Sequence, residues 1–157
     1  MSDLSFRDAT AEDVPILLML SHAGEARGAE TPPLDPQTLS DPRYRAAFDA
    51  IAASPDHRLI VAERGGEIIG TLQISTIPGL PRFGMKRGLL ENVHIRADQR
   101  GTGLGTQMVE WAIGQCREAG CGVVQLTSNK VRLDAHRFYR KLGFQQSHEG
   151  FKLMLEP

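Results

Sequence analysis

Two cysteines, one tryptophan and two tyrosines are all that the 157 residues hold of those types, and neither sign of charge dominates. Eighteen Lys and Arg stand against 19 Asp and Glu, a formal net charge of −1. Each shortage excludes something. Cys116 and Cys121 are too few for a disulfide framework, and no Cys/His cluster has zinc spacing, so no metal is expected. A near-neutral chain argues against a dedicated nucleic-acid or membrane-surface binder. There is no apolar run of about 18 residues and no basic-then-apolar leader pattern, so the chain reads as cytoplasmic. What remains is ordinary globular composition, 41% apolar and 24% charged. This length supports one domain, residues 1–157, with a core of useful size.

Period and punctuation then divide the chain. Leu4–Arg7 alternates as a short first strand. Thr10-Ala11-Glu12-Asp13 reads as a helix start, a Thr with an acid three residues on, and Ile16, Leu17 and Leu20 continue at helical spacing. Gly28–Pro36 reads as a loop. Asp41-Pro42 opens a second helix with Tyr44, Ala47, Phe48 and Ile51 on one face. Leu59–Ala62 and Ile68–Ile77 read as strands joined by the Arg64-Gly65-Gly66-Glu67 turn. Pro78–Gly88 is long for a hairpin turn and so a candidate lid or substrate loop. Its basic residues Arg82, Lys86 and Arg87 read as solvated. Leu89–Ile95 is a strand, Leu104–Ala119 a helix closed by Gly120, and Val123–Leu126 a strand. Asp134–Leu142 is the last helix, and Phe151–Leu155 alternates as a strand closing the sheet. The expected class is α/β with a mixed sheet flanked by helices.

The most telling stretch is Arg100-Gly101-Thr102-Gly103-Leu104-Gly105. A strand lies before it and an amphipathic helix after it (Leu104, Met108, Trp111, Ala112, Cys116, Ala119). The first N–H groups of a helix lack internal partners and its dipole favours negative charge, while glycine lets a ligand approach the backbone. The turn therefore reads as a phosphate site. A dinucleotide fingerprint fails, because its third glycine spacing is not met and Gln125 stands where an acid is wanted. A P-loop fails for want of Gly-Lys-Ser/Thr.

Asp98–Gly105 resembles the pyrophosphate-binding R-x-x-G-x-G turn of the GCN5-related N-acetyltransferase (GNAT) superfamily. Ala135-His136-Arg137-Phe138-Tyr139-Arg140-Lys141-Leu142-Gly143-Phe144 is similar to the A-x-x-F-Y-x-x-x-G-F segment of the same family. The resemblance spans about Leu4 to Leu155 and is specific from Leu90 to Phe144. It implies a GNAT-type acyl-CoA N-acyltransferase fold with a mostly antiparallel mixed sheet, and acetyl-CoA as cofactor. The N–H groups from Gln99 to Gly105 (Gln99, Arg100, Gly101, Thr102, Gly103, Leu104, Gly105), with Thr106 beyond them, would cradle the pyrophosphate. Val93, His94 and Ile95 would line the cofactor, with a backbone N–H near Val93 or His94 polarising the carbonyl.

Glu91 is the candidate general base, acting through water. It stands in an otherwise apolar strand, where partial burial would raise its pKa. Leu90-Glu91-Asn92-Val93 also resembles the strand of polyamine-type members. His94 is the alternative base. Strict alternation would put it on the opposite face from Glu91. Tyr139 is the candidate general acid and lies near the cofactor sulfur in the resembled family. One departure stands out: Arg132 occupies the place, seven residues before the Tyr, where the family often has Asn. Either Asn129 takes that cofactor contact or Arg132 replaces it, and an Arg there could reach a phosphate or simply face water.

The resemblance implies direct transfer of acetyl to a primary amine in a ternary complex, a small-molecule amine first, a protein amine second. Glu25, Glu30, Asp35, Asp41 and Asp49 are acids that would suit a cationic acceptor. No nucleic-acid or membrane partner is expected, and a homodimer is the oligomeric form this kind of protein commonly takes. A non-catalytic acetyl-CoA sensor or regulatory module of the same fold is the alternative reading, and the presence of both Glu91 and Tyr139 speaks against it.

Overall fold

The computed structural model describes residues 3–25 and 32–156. Its centre is a five-stranded sheet whose strands neighbour one another in sequence order: β1 (Leu4–Asp8), β2 (His57–Arg64), β3 (Glu67–Ile77), β4 (Lys86–Ile95) and β5 (Cys121–Gln125). The first four are antiparallel and β5 runs parallel to β4. A parallel return needs a long crossover, which helix α3 (Leu104–Glu118) supplies. Helices α1 (Val14–Glu25) and α2 (Pro42–Ala53) precede β2, and α4 (Leu133–Lys141) follows β5.

Paired residues across a ladder share a face of the sheet. Ile60 pairs with Leu72 and Ile74 with Leu90. These meet Leu104, Met108, Val109, Ala112 and Cys116 of α3 in the main core. Burying Leu104, Met108 and Val109 is worth about 2 kcal/mol each. Phe6 stacks on Trp111 on this side, 5.1 Å between centroids. Val61, Thr71 and Ser75 lie on the other face, which α1 covers.

The N-terminal signal of α1 is present in altered form. Asp13 accepts the Thr10 N–H at 2.7 Å and the Thr10 hydroxyl at 3.2 Å, but residues 11–13 form a tighter turn and the α-helix begins at Val14. The β2–β3 hairpin turns at Gly65 and Gly66, both left-handed, as a two-residue loop requires.

Three expectations are corrected or fall outside. The loop after β3 is shorter than expected: β4 begins at Lys86, and Lys86 Nζ donates to the Ala119 carbonyl at 3.0 Å. No strand forms over Phe151–Leu155. Phe151, Leu153, Met154 and Leu155 are 80 to 93% exposed, and the segment makes no ladder with β5. An apolar pattern names the face a strand would bury, but a strand exists only where a neighbouring backbone completes the ladder. Residues 28–31 of the Gly28–Pro36 loop, Glu30 among them, lie outside the described residues.

Candidate active site

The site grows from two local irregularities of β4. The first is a bulge. Thr71 pairs with His94 and Gln73 with Glu91, so one β3 residue, Leu72, opposes two on β4, Asn92 and Val93. Asn92 takes the left-handed conformation this needs, φ 51°. Thr71 and Gln73 are two apart and share a face, so their partners Glu91 and His94 do too. The expectation that alternation separates them is therefore corrected: the extra residue resets the period. The second irregularity is a parting of strands. Pairing of β4 with β5 ends at Leu89 and Gln125. Beyond it opens a cleft of about 200 Å3, between Leu90–His94 on one side and Leu126–Ser128 on the other.

Glu91, His94 and Tyr139 all line this cleft, with Glu25, Arg132 and Lys152. Glu91 is exposed rather than half-buried, so the desolvation expected for it is missing. His94 is the enclosed one. Its ring lies so close to α1 that a Cβ on Gly24 would fall 2.1 Å from Nδ1. Burial holds the His94 pKa below the ordinary imidazole value; Glu25 opposes this and the Arg100 charge adds to it. Tyr139 packs between Phe138 and Phe144. Burial pushes its pKa up, with Arg132 pulling the other way. The phenol is therefore protonated at neutral pH.

Beside the cleft lies the glycine turn. Gly101 and Gly103 have φ of 76° and 85°, and nothing stands within 4 Å of where a Cβ would be. The turn is thus left-handed and open to a ligand. The N–H groups of Gln99 and Arg100 bond to the carbonyls of Arg96 and Ala97, which takes both out of the expected cradle. The N–H groups from Gly101 to Thr106 have no backbone acceptor among the described residues, as the start of α3 dictates. The Thr102 hydroxyl donates to the Gln99 carbonyl at 2.6 Å and braces the loop. The Arg100 side chain, unlike its backbone N–H, forms no hydrogen bond or ion pair with a described residue, so its guanidinium is available to a phosphate. These features fit a pyrophosphate. Leu104 is instead wholly buried in the core, so only its backbone can serve.

The Asn129 and Arg132 alternatives separate. Asn129 Oδ1 accepts the Val131 N–H at 3.1 Å and shapes its own turn. Arg132 lines the cleft. Of the acids named for a cationic acceptor, Asp35 caps Thr38, Asp41 binds Arg43 and Asp49 binds Arg45. Only Glu25 of the described ones reaches the cleft. The Pro78–Gly88 segment contributes nothing to it; it leads into the other end of β4, whose first residue, Lys86, stands four residues, about 13 Å, before Leu90. Ser128 and Lys152 line the cleft without a signal in the sequence, because neither belongs to a motif or an apolar period.

Residues 26–144 match the model of the acetyltransferase (GNAT) family. The chain belongs to the GNAT family. GNAT membership makes it an acetyl-CoA-dependent N-acetyltransferase. Among curated relatives, it is 32% identical over 108 residues to an aminoalkylphosphonate N-acetyltransferase of Salmonella typhimurium, covering 69% of this chain and 70% of that one. It is 29% identical over 144 residues to an L-methionine sulfoximine/L-methionine sulfone acetyltransferase of Pseudomonas paraeruginosa, covering 91% of this chain and 81% of that one. A solved structure from Bacillus halodurans C-125, described as a transcriptional regulator, is 37% identical with a TM-score of 0.85, covering 97% of this chain and 99% of that one. No described helix of this GNAT chain is long and apolar enough to cross a membrane.

Proposed function

We propose that the chain acetylates the primary amine of a small molecule directly, with Glu91 and Tyr139 as the proton-handling groups. The observation that carries the reading is the convergence of Glu91, His94 and Tyr139 on one small cleft beside the glycine turn. Bound acetyl-CoA supplies the thioester whose acetyl group passes to the amine. The N–H groups from Gly101 to Thr106, with Arg100, hold the phosphates. The bulge at Asn92 and Val93 frees backbone N–H from the regular ladder beside the cleft, which suits a carbonyl-polarising donor.

An alkylammonium has a pKa of roughly 10 and must lose a proton before it attacks. Glu91, exposed in the cleft, accepts that proton through water. His94, neutral near pH 7, is the second acceptor on the same face. The protonated Tyr139 hydroxyl donates to the departing sulfur, whose conjugate acid has a pKa of roughly 8.5. Transfer without an acyl-enzyme is supported by Cys116, which is wholly buried with its thiol pushed up to about 11. Neither Cys116 nor Cys121 lines the cleft. The two curated relatives act on small amines, in keeping with an acceptor of this size.

The test is acetyl-CoA-dependent thiol release over a panel of amino acids, aminophosphonates, amino sugars, polyamines and short peptides. Release with small amines and none with peptides supports the reading. Peptide-only release, or binding of acetyl-CoA with no release at all, overturns it.

A further inference from the structure

We infer that the hairpin tip between β3 and β4, residues 80–87, docks the protein on an anionic lipid surface. The inference stands apart from the acetyl-transfer reading and concerns the long loop that the active site leaves unused.

Leu80 is 93% exposed and Phe83 wholly so. The backbone holds the ring outward. Arg82, Phe83 and Gly84 stand at φ 55°, 58° and 77°, three left-handed residues in succession, a conformation that favours glycine alone. The Gly84 and Met85 N–H groups donate to the Leu80 and Pro81 carbonyls at 3.1 Å and close the turn in that form. The Phe83 ring buries nothing that would offset the strain. The charge here is of one sign. Between Glu67 and Glu91 the sequence holds no acid, but it holds Arg82, Lys86 and Arg87. The Arg82 and Arg87 side chains are exposed and bond to no described residue. Lys86 donates to the Ala119 carbonyl, next to which Arg117 and Glu118 cancel. Even with Lys86 set against Asp56, beside it in a surface hollow, and Arg58 against Asp8, two free guanidiniums remain. Apolar side chains beside free cations thus form a protruding tip rather than a groove. One Phe and one Leu offer roughly 400 Å2, where a stable protein interface takes about 800 Å2 from each partner. A bilayer surface asks for less: apolar groups at the acyl boundary and cations at the level of anionic headgroups. The expectation of no membrane partner rested on the formal charge of −1. That total does not govern a local contact, because charges farther than about 8 Å from the surface are largely screened at physiological salt. The cleft lies farther along β4, from Leu90 to His94, so docking by the tip does not cover its lining.

The experiment is flotation of the intact protein with vesicles of phosphatidylcholine alone and of equal parts phosphatidylcholine and phosphatidylglycerol. Wild type should float with the anionic vesicles, bind the neutral ones about tenfold less tightly, and be released as salt rises. Phe83→Asn removes the ring and keeps a residue that tolerates left-handed backbone. It should weaken partitioning about tenfold or more. Arg82→Gln and Arg87→Gln should each weaken it about fivefold and flatten the salt dependence. Leu153→Ser, at an apolar position of the tail that is 85% exposed, should change nothing. Acetyl-CoA affinity by calorimetry should be unaltered in all these variants, which shows that each is folded. No flotation of wild type overturns the inference, as does equal binding to neutral vesicles. So does a Leu153→Ser loss as large as that of Phe83→Asn, which would mean indiscriminate apolar adhesion. If vesicles are ignored and light scattering shows that Phe83→Asn dissociates an oligomer, the tip meets a second copy and the lipid assignment falls. If binding depends on the arginines but not on Phe83, and soluble polyglutamate binds as tightly, the partner is an acidic polypeptide and the assignment falls as well.

Discussion

Tyr139 shows how a packed ring becomes a proton donor. Its centroid lies 5.1 Å from Phe138 and 5.8 Å from Phe144, and this enclosure raises its pKa above the ordinary phenol value. Tyr139→Phe keeps the packing and removes only the hydroxyl. We expect kcat to fall about 100-fold, roughly 2.7 kcal/mol, with acetyl-CoA affinity little changed; an unaltered kcat in stopped-flow or steady-state assays refutes the acid role. His94 shifts the other way, so it stays neutral to lower pH than a free imidazole. As pH falls through that depressed value the ring gains a proton and can no longer accept one. If His94 takes part, the acid limb of kcat/KM includes a step below the ordinary imidazole value, and His94→Gln removes it. If Glu91 acts alone, the limb survives in His94→Gln and is altered in Glu91→Gln.

At the level of elements, the glycine turn and the β4 bulge set the geometry in which those side chains meet. Gly103 caps α3 in the left-handed region, φ 85°, where any side chain is strained. Gly103→Asp adds that strain and a negative charge at the mouth of the cradle. Calorimetry should show acetyl-CoA affinity lowered at least 100-fold in a protein whose circular dichroism is unchanged, and retained affinity would remove the phosphate assignment. Gly24 matters for another reason, the close approach of the His94 ring. Gly24→Ala cannot hold both the methyl group and the present ring position. It should therefore displace His94 from the cleft and change the acid limb of the pH profile in the way His94→Gln does.

Across the whole molecule, the first strand is tied to the first helix and to the sheet by one charged knot. Arg7 donates to Asp13 at 2.7 Å and pairs with Glu63 at 2.9 Å, while Asp13 also takes the Thr10 N–H. The Arg7 bonds hold the Asp13 carboxyl below its ordinary value of 3.8. Its folded pKa is depressed, so its contribution to stability is complete above the unfolded pKa and is lost as pH falls through the folded one. Asp13→Asn should cost about 2 kcal/mol at pH 7. Thermal melts should show that deficit begin to shrink below about pH 4, where the unfolded carboxyl takes up its proton, and disappear only once the folded carboxyl is protonated as well. A constant difference across that range would mean that Asp13 acts by shape and not by charge.

Most of this architecture was legible in the chain. Hydrophobic period placed the strands and helices to within a few residues, since which face an element buries is written into its own side chains. The glycine turn was legible because left-handed backbone demands particular residues, and the Ala135–Phe144 segment located Tyr139. The bulge was not legible. Asn92 is a modest marker, and only the count of residues opposite it, one on β3 against two on β4, shows that Glu91 and His94 share a face. Nor could the tail be read, because an apolar pattern at Phe151–Leu155 cannot supply the neighbouring backbone a strand needs. Glu25, the Ser128 and Arg132 pair, and Lys152 meet in one cleft although these three places lie far apart in sequence. Local pattern determines what each segment buries; only the parting of β4 from β5 decides which distant side chains end up facing one another.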